Sequence, residues 1–94
     1  MTVAQEAAET LAIQCVAWMA EEDDMLNHFA NATGVTQSEI RERVQDSDFL
    51  ASVLDFLMME DAWVVNFCAQ HNVPNEAVMQ ARQNLPGGAQ VNWT

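Results

Sequence analysis

The 94-residue sequence is half apolar and carries three arginines, no lysine and fourteen carboxylates, for a formal net charge of −11. Its length predicts one globular domain, and its negative field disfavours nucleic acid, anionic lipid surfaces and acidic substrates as ligands. The first residues lack the basic and apolar regions of a signal peptide, and no segment stays apolar for the roughly 18 residues of a membrane span. We therefore expect a cytoplasmic protein.

Apolar residues recur with helical spacing along the whole chain, and no stretch alternates as a strand does. The sequence predicts an all-α fold of six short helices, expected at residues 5–20, 23–33, 37–45, 47–59, 61–71 and 75–84. Gly34 is suited to the left-handed position that ends the second helix, and Thr36 with Glu39 forms a capping box for the third. Asp46 or Ser47 is placed to cap the fourth helix.

The second half of the chain repeats the first at a shift of 38 positions. The shift aligns apolar residues in three successive helices: Leu11 with Phe49, Trp18 with Phe56, Phe29 with Phe67, and Ile40 with Val78. Gly34 falls on Asn72, and these two residue types most readily take the left-handed conformation. One three-helix unit could hardly bury its apolar face alone. The sequence thus predicts a duplicated three-helix unit, with a first unit at about residues 10–45 and a second at about 48–83.

The two units are expected to pack as one domain over residues 1–88. Residues 89–94 are expected to form a C-terminal tail that is either flexible or docked through Val91 and Trp93.

Three segments of the repeat resemble a known family: residues 29–34 (FANATG), residues 48–57 (DFLASVLDFL) and residues 85–88 (LPGG). Through them the chain, from Leu11 to Gly88, is similar to a small bacterial family carried as domain of unknown function 3572. The resemblance implies an all-helical cytoplasmic protein. It brings no activity, cofactor or catalytic residue with it.

Residues 29–44 also have the glycine turn and flanking helices of a bacterial helix-turn-helix. A recognition helix offers cations to phosphates and donors to base edges, but here Arg41 and Arg43 stand beside Glu39 and Glu42. Position 43 is also where the motif needs an apolar residue to seat the helix. We therefore expect no nucleic-acid binding. The alternative is a degenerate helix-turn-helix transcriptional regulator, or a partner of a DNA-binding protein.

The acidic run from Glu21 to Asp24 lacks the alternating oxygens and the glycine of a calcium loop. Its central pair, Glu22-Asp23, recurs 38 positions later as Glu60-Asp61 at the same helix junction. Carboxylates favour the exposed amides and positive dipole of a helix N-terminus. We interpret both pairs as helix-stabilising residues rather than metal ligands.

The two cysteines and two histidines match the composition of a zinc site, but four ligands must converge on one point. We expect Cys15 and Cys68 to be buried free thiols, His28 to lie on a polar helix face and His71 to lie at a helix C-terminus. The sequence holds no phosphate-binding loop, dinucleotide fingerprint or Ser-His-Asp arrangement. It therefore predicts no enzyme, no metal and no cofactor.

The two units differ in polarity at four aligned positions. Glu21, Asp24, Asn27 and Asn31 in the first unit become Met59, Ala62, Val65 and Ala69 in the second. If the helix direction continues across the junction, these four apolar residues, here named the apolar stripe, lie on one face opposite Phe67 and Val64. Either the chain itself covers such a stripe, through Leu85, Val91 and Trp93 or through the N-terminal helix, or another protein does.

The sequence thus favours a small acidic all-α domain that acts as a protein-interaction module or homo-oligomer without catalytic activity. The expected partner is an unidentified protein or a second copy of the chain. No membrane and no small-molecule substrate are expected.

Overall fold

The computed structural model describes residues 3–22 and 24–85. These residues form six helices and no strand: α1 (Val3–Glu21), α2 (Met25–Thr33), α3 (Gln37–Arg43), α4 (Ser47–Leu57), α5 (Asp61–His71) and α6 (Glu76–Gln83). The all-α prediction is confirmed. Each helix end lies within two residues of its expected position, because the residues that start and stop the helices act locally.

The predicted helix starts are present at α3 and α4. The Oγ1 atom of Thr36 accepts a hydrogen bond from the Glu39 N–H at 3.1 Å, and the Glu39 carboxylate accepts one from the Thr36 N–H at 2.9 Å. This hydrogen bond from the backbone lowers the pKa of Glu39. At α4, Asp46 is the N-cap and accepts from the Asp48 N–H at 3.0 Å. The hydroxyl of Ser47 instead donates to Glu9 on α1.

Two aligned residues end α2 and α5 in the left-handed conformation. Gly34 has a φ of 81° and donates its N–H to the Ala30 carbonyl, and Asn72 has a φ of 57° and donates to the Cys68 carbonyl. The matching ends make α2 and α5 equivalent pieces of chain, each followed by a turn into a short helix.

The junction between α4 and α5 is tighter than expected, and the fourth helix stops two residues before its expected end at Met59. Helix α4 ends at Leu57. The Met59 N–H then donates to the Phe56 carbonyl at 3.1 Å. Because this bond spans three residues instead of four, the chain makes a tighter, 3₁₀-type turn after the helix. The helix direction is therefore interrupted at Met58 and Met59, and α5 starts afresh at Asp61 with Glu60 as its N-cap.

Helix α1 lies at the centre of the fold and packs against α2, α4 and α6. Both units contribute to the core. Its largest fully buried side chains are Trp18, Phe29, Phe67, Met19, Ile40, Leu50, Leu54 and Leu57. No polar or charged residue is buried in the part of the chain that the structure describes. The hydrophobic effect over this shared core is the main stabilising contribution.

Aromatic contacts between the units are reciprocal. Phe29 on α2 meets Phe56 on α4 edge to face at 5.1 Å, and Phe67 on α5 meets Trp18 on α1 in the same manner at 5.9 Å. Phe29 aligns with Phe67, and Trp18 aligns with Phe56, so each unit's second helix packs its phenylalanine on the other unit's first helix. Reciprocity of this kind is what a two-fold relation between two copies requires.

The short third helix of each unit does not follow this relation. Helix α6 packs against both α1 and α4, whereas α3 packs chiefly against α2. Arg82 on α6 donates to both carboxylate oxygens of Asp55 on α4, at 2.7 and 3.2 Å. This paired contact joins α6 to the C-terminal end of α4, the first helix of the same unit.

Candidate functional site: the apolar stripe on α5

All four residues of the apolar stripe are exposed in the described structure. Ala62, Val65 and Ala69 lie on α5 at spacings of three and four residues, and Met59 lies in the turn that precedes the helix. The side chain of Val65 is 51% exposed and that of Met59 is 70% exposed. The stripe is therefore one helix face extended by a turn residue, rather than one continuous helix.

The opposite side of α5 fixes this helix to the core. Phe67 and Cys68 are buried, while Trp63 and Val64 are half-buried and packed against the core cluster. The expectation that the stripe lies opposite Phe67 and Val64 agrees with this burial. Helix α5 consequently has an apolar side on each face, and the described residues cover only the side that holds Phe67 and Cys68.

The described residues do not shield the stripe. Leu85, one of the residues that could have covered it, lies in the core after the end of α6 and is buried. Helix α1 packs against α2, α4 and α6, and the stripe stays exposed beside it. Val91 and Trp93, the other residues expected to cover it, lie outside the described residues.

Carboxylates lie at both ends of the stripe. Glu60 and Asp61 are exposed at the start of α5. Near its other end, the amide of Gln70 donates to the Glu22 carboxylate at 3.3 Å, which places that carboxylate next to the residue following Ala69. The sequence holds no lysine or arginine from Val44 to Ala81. The stripe is thus an apolar surface with carboxylates at both ends.

The aligned face of the first unit is polar and solvated. Asp24, Asn27 and Asn31 are exposed on it, and together with His28 and Ala32 they line a shallow groove of about 550 Å³. The Asn27 carbonyl oxygen accepts a hydrogen bond from the Gln37 amide at 2.7 Å, which ties α2 to α3. Water hydrates these polar side chains, so this face of the first unit needs no partner to bury it. The aligned face of the second unit is apolar and differs in this respect.

The contacts of His28 were not anticipated from the sequence. Its exposed ring meets Phe56 and Trp63 edge to face, at 5.4 Å each. The ring therefore bridges α2 to α4 and to the start of α5. Helical periodicity alone predicts that His28 lies on a solvent-exposed face. That periodicity describes a single helix, so it could not predict contacts with rings on other helices.

The helix-turn-helix segment packs as a pair of core helices. Ile40 is buried, and Val44, rather than Arg43, is the next residue of this segment to pack against the core cluster. Arg43 is exposed and forms an ion pair with Glu39 at 3.7 Å. Helix α3 has seven residues and places its arginines among carboxylates, an arrangement that offers little to a phosphate backbone.

The two cysteines are buried, whereas the two histidines are not. Cys15 and Cys68 are free and buried, as expected. His71 ends α5, where its ring lies 4.5 Å from that of Phe67 and its Nδ1 atom lies 3.1 Å from the Phe67 carbonyl oxygen. Among residues 3–22 and 24–85, no three histidine, cysteine, aspartate or glutamate side chains come together in a way that could hold a metal ion.

Both thiols are expected to resist alkylation in the folded protein. Burial raises the pKa of Cys15 from 9.0 to about 12, and the neighbouring Cys68 thiol adds to this effect. Burial and the Glu76 carboxylate raise the pKa of Cys68 as well. Iodoacetamide labelling at neutral pH, followed by mass spectrometry, should show both thiols protected until denaturant is added. Rapid labelling of either thiol in the native protein would contradict its burial.

The same pKa shift gives a pH dependence of stability with a definite sign. Because the folded thiol of Cys15 holds its proton more tightly than the unfolded one, its contribution is fully present below pH 9 and is lost as the pH rises toward about 12. Thermal melts across this range should show the melting temperature of the native protein falling more steeply than that of the Cys15→Ala variant. Equal slopes would contradict the shift.

None of the described helices combines the length and the apolar character needed to cross a bilayer.

Comparison with known proteins identifies the family of the chain but no function. The sequence model of a family described as proteins of unknown function (DUF3572) matches residues 5–88, which include all six helices except the first two residues of α1. No curated protein and no solved structure matches the chain. The family description gives no activity, ligand or partner. On this match, the chain belongs to the DUF3572 family.

Proposed function

We propose that this domain is a non-catalytic protein-interaction module of the cytoplasm, and that the apolar stripe is the surface through which it binds its partner. The observation that carries the proposal is the exposure of Met59 and Val65 on the solvent side of a helix whose other side is already in the core. The aligned face of the first unit is polar, so apolar residues at these positions are not needed for a helix of this kind to fold.

Single exposed apolar side chains are ordinary on protein surfaces, and Ile13 and Met79 are examples in this chain. The stripe differs because its apolar residues follow one another along a helix face. Fully covering a valine or methionine side chain contributes about 1.5–3 kcal/mol each. Met59 is 70% and Val65 51% exposed in the free domain, so covering the area that remains exposed contributes about 2–4 kcal/mol in total. A micromolar affinity corresponds to about 8 kcal/mol, so other contacts must supply the rest.

Val65→Glu is expected to abolish partner binding while leaving the fold intact. The substituted side chain is half-exposed, so the carboxylate stays solvated in the free domain but is desolvated in the complex. The tagged domain should be used to capture proteins from nuclease-treated cell extract at physiological salt. Met79→Glu is the matched control, because it places the same charge on another exposed apolar residue, on α6.

A protein retained by the wild type and by Met79→Glu, but lost with Val65→Glu, supports the proposal once its binding is reproduced with purified components. Circular dichroism must show that Val65→Glu keeps its helical content and melting temperature. Equal retention by all three proteins would place the binding surface elsewhere. Unfolding of Val65→Glu would instead show that the stripe belongs to the core.

A further inference from the structure

We infer that the partner presents a basic amphipathic helix to the apolar stripe. This inference rests on the proposed function and specifies the chemistry of the partner.

The shape of the stripe suits a helix. Ala62, Val65 and Ala69 span eight residues of α5, or about 10 Å along the helix axis, and Met59 extends the surface by one flexible side chain. The alanines at both ends let another helix approach closely, with Val65 as the central contact. Apolar residues at positions i, i+3, i+4 and i+7 of a partner helix match this length.

The carboxylates around the stripe favour basic residues beside the apolar face of the partner helix. Glu60 and Asp61 lie at one end and Glu22 lies near the other, held by the amide of Gln70. The segment that carries the stripe has no lysine or arginine of its own from Val44 to Ala81. Lysines or arginines flanking the apolar face of the partner would meet these carboxylates, and such complementarity speeds association and fixes orientation.

A second copy of the chain is a poorer occupant. A two-fold contact places the same patch of each copy against the other, so the carboxylates at the ends of the stripe would be brought together. Each copy also carries a net charge of −11. Repulsion between these carboxylates opposes the association of two copies, whereas a basic partner is attracted to them.

The test uses the whole domain and a synthetic helical peptide of about five turns, with leucines on one face and arginines flanking them. A control peptide replaces each arginine with citrulline, which has a similar shape and no charge. Binding is measured by calorimetry at low and high salt, and the contact surface is mapped by NMR chemical shifts. The proteins are the wild type, Val65→Glu, Met79→Glu and the double variant Glu60→Gln/Asp61→Asn.

The arginine peptide is expected to shift resonances of α5 and to bind more weakly as salt increases. Val65→Glu should weaken binding at least about tenfold, although the variant is more acidic, because the stripe is blocked. Met79→Glu should bind as the wild type does. The double variant should bind about threefold more weakly, since two carboxylates at the stripe are lost.

Binding that Val65→Glu leaves unchanged would overturn the inference, because attraction would then depend on overall charge alone. Equal binding of the citrulline peptide, or no binding of either peptide, would overturn the basic character of the partner while leaving the proposed function in place. Sedimentation that shows a dimer dissociated by Val65→Glu would identify a second copy as the occupant. Each of these results is distinct from failure of the capture experiment, which tests the proposed function itself.

Discussion

Replacing Phe29 with alanine is expected to lower the free energy of unfolding by about 3–5 kcal/mol. The ring is fully buried and meets the rings of Phe49 and Phe56 at 5.8 and 5.1 Å. The substitution removes both aromatic contacts and leaves a cavity between α2 and α4. Because small domains are stable by only about 5–15 kcal/mol, this loss is a large share of the total.

Chemical denaturation monitored by circular dichroism measures this effect. Phe67→Ala is the informative companion, since Phe67 makes the reciprocal contact with Trp18 at 5.9 Å. Both variants should shift one common transition by comparable amounts. A loss below about 1 kcal/mol for Phe29→Ala would contradict the packing, because cavities of this size cost several times more.

The separated halves of the chain are expected not to fold. When residues 1–45 and 46–94 are produced as two peptides, each loses the aromatic contacts that join α2 to α4 and α5 to α1. Each also loses the packing of α1 against α4. A three-helix unit of this length has too little core to offset its conformational entropy.

Circular dichroism of each half should show little helix and no cooperative melting. An equimolar mixture should regain helix and melt with a transition that depends on concentration, because association then precedes folding. A half that melts cooperatively by itself would contradict a shared core and would divide the chain into two domains.

The helices could be predicted from the sequence because their ends depend on local chemistry. The Thr36–Glu39 capping box and the left-handed ends at Gly34 and Asn72 are properties of a few neighbouring residues, and the structure shows all of them. The extra length assigned to α4 has a different cause. Met58 and Met59 continue the apolar pattern, but the chain turns there, with the Met59 N–H bonded to the Phe56 carbonyl, and apolar periodicity does not mark such a turn.

The stripe could be predicted only as a difference between the two units. Alignment at a shift of 38 residues identifies Met59, Ala62, Val65 and Ala69 as apolar where the first unit is polar. Whether such residues lie in the core or in solvent depends on how the units pack, which periodicity along one helix does not encode. The ring contacts of His28 with Phe56 and Trp63 belong to the same class of tertiary detail.

Oxidation of two methionines distinguishes a covered apolar stripe from an exposed one. Met59 on the stripe and Met79 on α6 are 70% and 59% exposed, so dilute purified protein should oxidise at both positions with similar rates. In cell extract, Met59 is expected to become protected from oxidation while Met79 stays reactive. Equal oxidation of both methionines in extract, or slow oxidation of Met59 in the purified domain, would contradict this expectation.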